Sequence, residues 1–347
     1  MDKIRFAIIG CGRIAERHAI HAKTYGHLIA VCDIQLEKAD AFAKQFHAKA
    51  FYSIENLLLQ NLKLDVIVIC TPNGLHAAHS ILSLEAGYHV MVEKPIAITV
   101  ADCEKMIQAA KHAKRQIFTV KQNRFNPPIE SLKTAIDQER IGKLYSFQLS
   151  CFWNRPSDYY RNSWHGTALD GGALYTQFSH FIDLINWLFG DVKSVNAMTK
   201  NYAHQDLIEG EDSGIVMLEL NNGAIGTINY SVNSFDKNAE GSLTIIAEKL
   251  TLKIGGEYLN TIAYQNGDGV QIFNTHKDQP PNEYGSYNGS MSNHHKVYEN
   301  LVQTLQKGLP YYATVEEAMK TVEIIERIYL SAKIRNHGIS TETSIHT

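Results

Sequence analysis

Over the first third of the chain, short apolar runs alternate with amphipathic stretches. The runs are IRFAIIG (4–10), LIAVCD (28–33), DVIVIC (65–70), HVMVEK (89–94) and QIFTVKQ (116–122). Near-continuous apolar segments of this length suit strands buried on both faces. Helical segments between them predict right-handed crossovers and a parallel sheet. In CEKMIQAAKHAK, residues Cys103, Met106, Ile107 and Ala110 fall on one stripe, and Thr99 with Asp102 forms a capping box ahead of it. Gly87 marks where the preceding helix stops.

After about residue 123 the rhythm changes. A helix follows Pro127–Pro128, and LYSFQLSCFW (144–153) alternates like a strand with one wet face. Further strands are predicted at 193–202, 213–220, 224–233, 242–247 and 250–254, joined by turns such as Asn221–Asn222–Gly223. This is the pattern of a mainly antiparallel open sheet with helices over one face. An exposed sheet face of that size predicts a subunit interface, hence a homodimer or homotetramer. A final helix at about 314–335 is expected to pack back on the first domain, and the polar tail 336–347 to fray. The fold class is therefore α/β: a parallel-sheet domain over 1–122 and an α+β domain over 123–335.

Composition narrows the function classes. The chain has 347 residues, a formal net charge of −3 and no basic block, which argues against nucleic acid and anionic membrane as partners. No apolar run approaches the roughly 18 residues of a membrane span. The first strand begins at Ile4, leaving no room for a leader, and the five cysteines form no CxxC pair. A cytoplasmic protein with free thiols is expected.

The candidate chemistry sits at the ends of the apolar runs. Gly10-Cys11-Gly12-Arg13-Ile14-Ala15 follows the first strand and opens a helix, the context that a dinucleotide fingerprint requires. Gly10 permits the tight turn, Gly12 lets the backbone approach a pyrophosphate, and Ala15 allows close helix–strand packing. Asp33 ends the second strand and can bind a ribose diol; Ile34 and Gln35 supply no cation after it, so NAD is favoured over NADP. Thr71-Pro72-Asn73 and Glu93-Lys94-Pro95 end two further strands, where open parallel sheets bind ligands. Pro95 restricts Lys94 to extended backbone. His76 and His79 share a helix face, but no third ligand accompanies them, so no metal site is assigned.

Residues 170–190 read DGGALYTQFSHFIDLINWLFG. Leu174, Phe178, Phe181, Ile185 and Leu188 give an apolar stripe, while Thr176, His180, Asp183 and Trp187 run along another face. This predicts a helix with one side on a cavity. For His180 alone, a hydrogen-bonded core histidine is the competing reading.

The GxGxxA turn, Thr71-Pro72-Asn73, Glu93-Lys94-Pro95 and Gly171-Gly172-Ala173-Leu174…His180-Phe181-Ile182-Asp183 together resemble the glucose–fructose oxidoreductase/inositol dehydrogenase/MocA family through nearly the whole chain. The resemblance implies a Rossmann domain, a second domain with an open sheet, and NAD(P)-dependent oxidation or reduction of sugars and polyols. It also implies that Lys94 and His180 are catalytic. Val120 to Pro128 (VKQNRFNPP) and Trp164-His165-Gly166-Thr167…Asp170-Gly171-Gly172 resemble, more narrowly, the UDP-N-acetylglucosaminuronate 3-dehydrogenase branch of bacterial O-antigen synthesis. Gln177 follows that branch; Thr176 stands where the branch usually has Asn, and Phe178 where it usually has Gly.

Alcohol oxidation needs a base for the hydroxyl proton and a donor for the developing alkoxide. His180 is assigned as the base and Lys94 as the donor, with the possibility that they titrate as a coupled pair. The NAD contacts expected are Gly10, Gly12, Arg13, Ile14, Asp33, Thr71, Pro72, Asn73, His76, Glu93, Lys94, Gln122 and Trp164. A charged nucleotide sugar would be met by Lys121, Asn123, Arg124, Arg155, Tyr160, Arg161, Thr176, Gln177 and His180. The segment 275–295 is polar and turn-rich and is expected to form a lid or reach a neighbouring subunit; His294 and His295 would meet substrate or face water. Two other readings stay open here: a dehydrogenase of a free polyol such as inositol, and an NAD(P)-sensing regulator, which would be expected to lack the catalytic pair.

Overall fold

The computed structural model describes residues 3–161, 163–274, 281–283 and 288–336. The first domain is a six-stranded parallel sheet in the order β3-β2-β1-β4-β5-β6. Its strands are β1 (Ile4–Ile9), β2 (Gly26–Cys32), β3 (Lys49–Phe51), β4 (Val66–Ile69), β5 (His89–Val92) and β6 (Ile117–Thr119). Five of them match the apolar runs. The sixth, β3, has only three residues, KAF, too short for a periodic signal. Helices α1 (Arg13–Tyr25), α2 (Leu36–Phe46), α3 (Ile54–Leu59), α4 (His76–Glu85) and α5 (Val100–Ala113) make the connections. The Thr99 hydroxyl caps α5 by accepting from the Asp102 amide at 3.1 Å. Gly87, at φ 88°, follows the end of α4.

Strand register places the functional edge. Cys32, Ile9, Ile69, Val92 and Thr119 lie side by side across the sheet. The residues that follow them, Asp33, Gly10, Cys70, Glu93 and Val120, therefore emerge together at the carboxyl edge, and the strand order reverses between β1 and β4. A crevice at such a reversal is where doubly wound sheets bind ligands.

The second domain begins with α6 (Pro127–Asp137) and builds a seven-stranded sheet. Its strands are β7 (Leu144–Phe152), β8 (Val192–Lys200), β9 (Ser213–Leu220), β10 (Ile225–Ser231), β11 (Glu240–Ala247), β12 (Leu250–Gly255) and β13 (Thr261–Gly267). Their order is β13-β12-β11-β7-β10-β9-β8, antiparallel except where β7 runs parallel to β10. β13 was not legible as an apolar run; every one of its side chains is exposed or half-buried. The chain also contains α7 (Ser157–Tyr160), α8 (Ser179–Phe189), a small hairpin of β14 (Pro281–Glu283) and β15 (Asn288–Met291), α9 (His294–Lys307) and α10 (Val315–Asn336).

Alternation along the strands sends side chains to two cores. Phe6, Ile8, Val66, Val68 and Met91 pack under α1 and α9 with Val297, Tyr298 and Leu301. Ala7, Ile9, Ile67, Ile69, Val90 and Val92 join a larger core that runs through Ile324 and Ile325 of α10 into Leu149, Ile228 and Leu243 of the second sheet. α10 does not simply return to the first domain: it packs against β8 and α8 as well as α5 and β6. Its buried Ala318, Val322, Ile324, Ile325, Ile328 and Ala332 join the core that both domains share. The tail beyond 336 and much of the 275–295 loop lie outside the described residues. All five cysteines are buried and unpaired with one another. No helix among the described residues is long and apolar enough to cross a membrane.

Candidate active site

A cleft of about 770 Å³ runs from the carboxyl edge of the parallel sheet to the start of α8. From the first domain it is lined by Gly12, Arg13, Ile14, Thr71, Pro72, Asn73, His76, Glu93, Lys94 and Gln122; from the second by Arg155, Arg161, Trp164, Thr176, Gln177 and His180. Trp153 and Ser290, which sequence reasoning did not single out, also line it, as do Tyr159 and His165. Tyr159 and His165 stand in the same aromatic-rich segment as Tyr160 and Trp164. Ser290 gives no such signal.

The nucleotide end fits a dinucleotide on three counts. Gly10 has φ 92°, and a Cβ there would meet the Cys70 carbonyl oxygen at 2.6 Å, so this turn accepts only glycine. A Cβ on Gly12 would meet nothing within 4 Å, leaving an open space over the start of α1, which no side chain caps. That uncapped helix end suits an anion such as a pyrophosphate. Asp33 does not line the cleft; its carboxylate accepts from the Cys11 amide at 2.9 Å and the Gln35 amide at 2.8 Å, which fixes it beside the glycine turn. Gly10 likewise shapes the cleft from behind.

The strand-end loops are cross-braced. The two ring nitrogens of His76 lie 2.6 Å from the Pro95 carbonyl and 2.7 Å from the Thr71 carbonyl, so this residue ties the two loops together at the cleft wall. Asn73 donates to the Asp170 carbonyl and the Thr176 hydroxyl, both at 2.9 Å, joining the first domain to the second. The Lys94–Pro95 peptide is cis.

Lys94 and His180 reach the cleft from different domains. Lys94 Nζ donates to the Thr176 carbonyl, within a π-helical turn (Leu174–Phe178) that precedes α8. The sequence pattern predicts a regular helix there; the wider turn is a known feature of functional sites. Burial pulls Lys94 down to about 8 despite the opposing charge of Glu93. Burial, reinforced by the Lys94 charge, holds His180 well below the usual histidine range, so the ring is neutral at physiological pH. His180 Nε2 lies 3.0 Å from Gln122 Nε2, and Gln122 also donates to Ser290 Oγ at 3.0 Å. His180 Nδ1 has no hydrogen-bond partner among the described residues.

Four expected substrate contacts fall elsewhere. Arg124 is fully buried and makes a fork–fork pair with Asp183, both arms at 2.9 Å, plus a bond to Glu317 at 2.8 Å. Lys121 lies 3.1 Å from the same carboxylate. Both cations are thus consumed in a buried network and do not line the cleft, and Asp183 leaves the cavity-facing side of its helix to join it. Trp187 stacks under Arg124 at 4.9 Å. Asn123 is buried and does not line the cleft, and neither of its amide atoms has a hydrogen-bond partner among the described residues. Tyr160 lines a neighbouring cavity of about 240 Å³ behind Gly166 to Ala173, with Asp170, Glu211 and Tyr329.

Arg155 is the cation that does reach the cleft in a built setting. It is buried, donates to Gln177 Oε1 at 2.7 Å and lies over the Trp153 ring at 5.0 Å; Gln177 in turn donates to the Tyr159 hydroxyl at 2.8 Å. Arg161 stands exposed at the rim. His294 does not line the cleft: it is fully buried behind Glu93.

A doubly wound sheet with a glycine turn, an acidic residue ending β2 and a lysine–histidine pair across the cleft defines a dinucleotide-dependent oxidoreductase fold. Residues 4–121 match the family model described as "Oxidoreductase family, NAD-binding Rossmann fold", and residues 133–339 the one described as "Oxidoreductase family, C-terminal alpha/beta domain". The chain belongs to the glucose–fructose oxidoreductase/inositol dehydrogenase/MocA family, and its first domain is an NAD-binding Rossmann domain.

Among solved structures, the WlbA dehydrogenase of Chromobacterium violaceum in complex with NADH and UDP-GlcNAcA is 34% identical, with a TM-score of 0.86 over 96% of this chain and 94% of that one. The Bordetella pertussis WlbA dehydrogenase, with the same two ligands, is 34% identical at a TM-score of 0.85 over 95% of this chain and 97% of that one. Among curated relatives, the 1-carboxy-3-chloro-3,4-dihydroxycyclohexa-1,5-diene dehydrogenase of Comamonas testosteroni is 31% identical over 59% of this chain, which spans about half (51%) of that protein.

Proposed function

We propose that this chain is an NAD-dependent dehydrogenase that oxidises the C3 hydroxyl of a UDP-linked N-acetylated glucuronic acid to the 3-keto sugar, a step suited to the synthesis of bacterial surface-polysaccharide precursors. The observation that carries this reading is the convergence of Lys94, His180 and Arg155 on one cleft beside a glycine turn shaped for a dinucleotide. The likeness to two structures holding NADH and UDP-GlcNAcA supports it over nearly the whole chain.

In this reading Gly12, Arg13 and Ile14 hold the pyrophosphate and Asp33 the ribose diol. Bound NAD⁺ supplies the hydride acceptor. Gln122 donates to the single Nε2 lone pair of His180 and so keeps the ring proton on Nδ1; the sugar hydroxyl displaces the Gln122 amide from that lone pair before handing it the proton. Lys94, charged below about pH 8, donates to the same oxygen and stabilises the alkoxide as it forms. Arg155, fixed between Gln177 and Trp153, is placed to pair with the carboxylate or diphosphate, with Arg161 at the rim. The aromatic wall of Tyr159, Trp164 and His165 offers a stacking surface for the base or sugar ring.

A panel of UDP-sugar acids, neutral UDP-sugars and free inositols, read by NADH formation in single turnover, tests this assignment. UDP-N-acetylglucosaminuronate is expected to give NADH; turnover of the free polyols alone would transfer the assignment to a polyol dehydrogenase, and turnover of none would favour a sensor. Retention of both Lys94 and His180 argues against the sensor.

The open face of the second sheet is read as a subunit interface. It exposes Tyr145, Met198, Ile215, Met217, Ile225 and Ile246, with Met198 and Ile215 directly paired across strands. Light scattering is expected to report a dimer or tetramer, and Ile215→Lys to shift it toward monomer.

A further inference from the structure

Behind the catalytic lysine, at the part of the cleft wall that Glu93 forms, three ionisable side chains from three distant elements meet. His18 comes from α1, Glu93 from the end of β5, and His294 from the first residue of α9. Their ligand-type atoms all lie within 4.8 Å of one another. His18 Nε2 is 2.8 Å from Glu93 Oε1, while the other ring nitrogen of His18 is held by the Tyr298 hydroxyl at 3.0 Å. His294 Nε2 approaches the same Glu93 oxygen at 3.5 Å, and the two imidazoles meet edge to face at 5.4 Å. Both histidines are completely buried.

The second oxygen of Glu93 has a different task. Oε2 accepts the backbone N–H of Lys94 at 3.0 Å. The carboxylate therefore has one face on the histidines and the other on the peptide that carries the reacting lysine. A buried carboxylate needs close partners to remain charged: burial pushes Glu93 up, but the His18 hydrogen bond and the adjacent His294 ring outweigh that and hold it well below the usual range. The spacing of 2.8 Å is that of a hydrogen bond rather than of two ligands on one ion, so the cluster reads as a clamp.

We infer that His18 and His294 are positioning residues for the dehydrogenase reaction: through Glu93 they fix the Lys94 peptide, and so the direction of the Lys94 ammonium toward the Thr176 carbonyl and the substrate oxygen. This rests on Lys94 acting in catalysis as proposed above. It gives α9 a role in chemistry it never touches, because α9 supplies both His294 and the Tyr298 hydroxyl that orients His18. A displacement of reacting groups of about 1 Å costs on the order of 10²-fold in rate.

The test compares His18→Leu, which removes the donor to Glu93, with His18→Gln, whose amide nitrogen can take the place of Nε2. Tyr298→Phe, which removes only one hydroxyl, serves as a second variant should His18→Leu fold poorly. Two readouts are taken on NAD-loaded protein. One is kcat, sugar KM and NAD Kd with whichever sugar the wild type oxidises. The other needs no turnover: acylation of Lys94 relative to the exposed Lys105, by peptide mass spectrometry. His18→Leu is expected to lose about 10²-fold in kcat with KM and Kd little changed, and to acylate Lys94 several-fold faster. His18→Gln is expected to recover most of both, and Tyr298→Phe to show a smaller effect in the same direction. Unchanged Lys94 acylation in His18→Leu, or equal effects from Leu and Gln, would overturn the clamp. Inactivity of the wild type on every sugar would count against the proposed substrate only, since the acylation readout still decides the clamp.

Discussion

Gln122, just past the end of β6, places its amide nitrogen 3.0 Å from Nε2 of His180 on α8. The contact crosses the domain boundary and selects one tautomer of the proposed base. Gln122→Leu should therefore lower kcat on the order of 10-fold while leaving NAD affinity nearly unchanged. Steady-state kinetics with a parallel NAD titration checks this; a loss confined to NAD binding would make Gln122 a cofactor contact alone.

The lysine gives a pH signature. Burial, together with the Arg155 and Lys121 charges and against the pull of Glu93 and Asp170, brings Lys94 to about 8. His180 titrates well below neutrality and adds no limb there. If Lys94 works as the charged donor, kcat/KM for sugar oxidation falls as pH rises through about 8. An activity that climbs through the same range would assign the base role to Lys94.

Asp183 is expected to matter for stability more than for substrate. Burial opposes its ionisation, yet Arg124 and Lys121 hold it well below the carboxylate range. A depressed carboxylate stabilises the fold above its unfolded pKa and loses that stabilisation as pH falls. Asp183→Asn leaves two buried cations short of a partner and should cost about 3–5 kcal/mol in denaturant unfolding near neutral pH. A cost under about 1 kcal/mol, or a change seen only in sugar KM, would restore Arg124 as a substrate contact.

Glu211 shows the opposite linkage. Burial raises it from 4.5 to about 7, even though Tyr329 donates to it at 2.7 Å and Tyr230 at 3.2 Å. Its protonated form is the stable one in the fold, so stability is present at low pH and is lost as pH rises through about 7. Glu211→Gln should gain on the order of 3 kcal/mol over wild type at about pH 8.5 and nothing at about pH 4. Melting curves at the two pH values decide it; a difference independent of pH would contradict the shift.

What the sequence disclosed follows from distance along the chain. The glycine turn, the Glu93–Lys94–Pro95 strand end and the His180 helix are local patterns, each readable within a few residues. Arg124 was misread because its partners, Asp183 and Glu317, lie 59 and 193 residues away, so an apparently free cation was already spoken for. The clamp on Lys94 was invisible for the same reason: Glu93 lies 75 residues from His18 and Tyr298 lies 280 from it. β3 escaped because three residues carry no period, and the π-turn before His180 because apolar spacing cannot separate it from an ordinary helical turn.

The pairing of Lys94 with His180 is the central claim, and single-turnover oxidation tests it most directly. Protein loaded with NAD⁺ is mixed with UDP-N-acetylglucosaminuronate, and NADH is followed in wild type, Lys94→Ala and His180→Ala, with NAD affinity measured alongside. Wild type should reduce its bound cofactor, and each variant should do so on the order of 10²–10⁴-fold more slowly with NAD binding retained. Near-normal NADH formation in either variant would contradict the assignment.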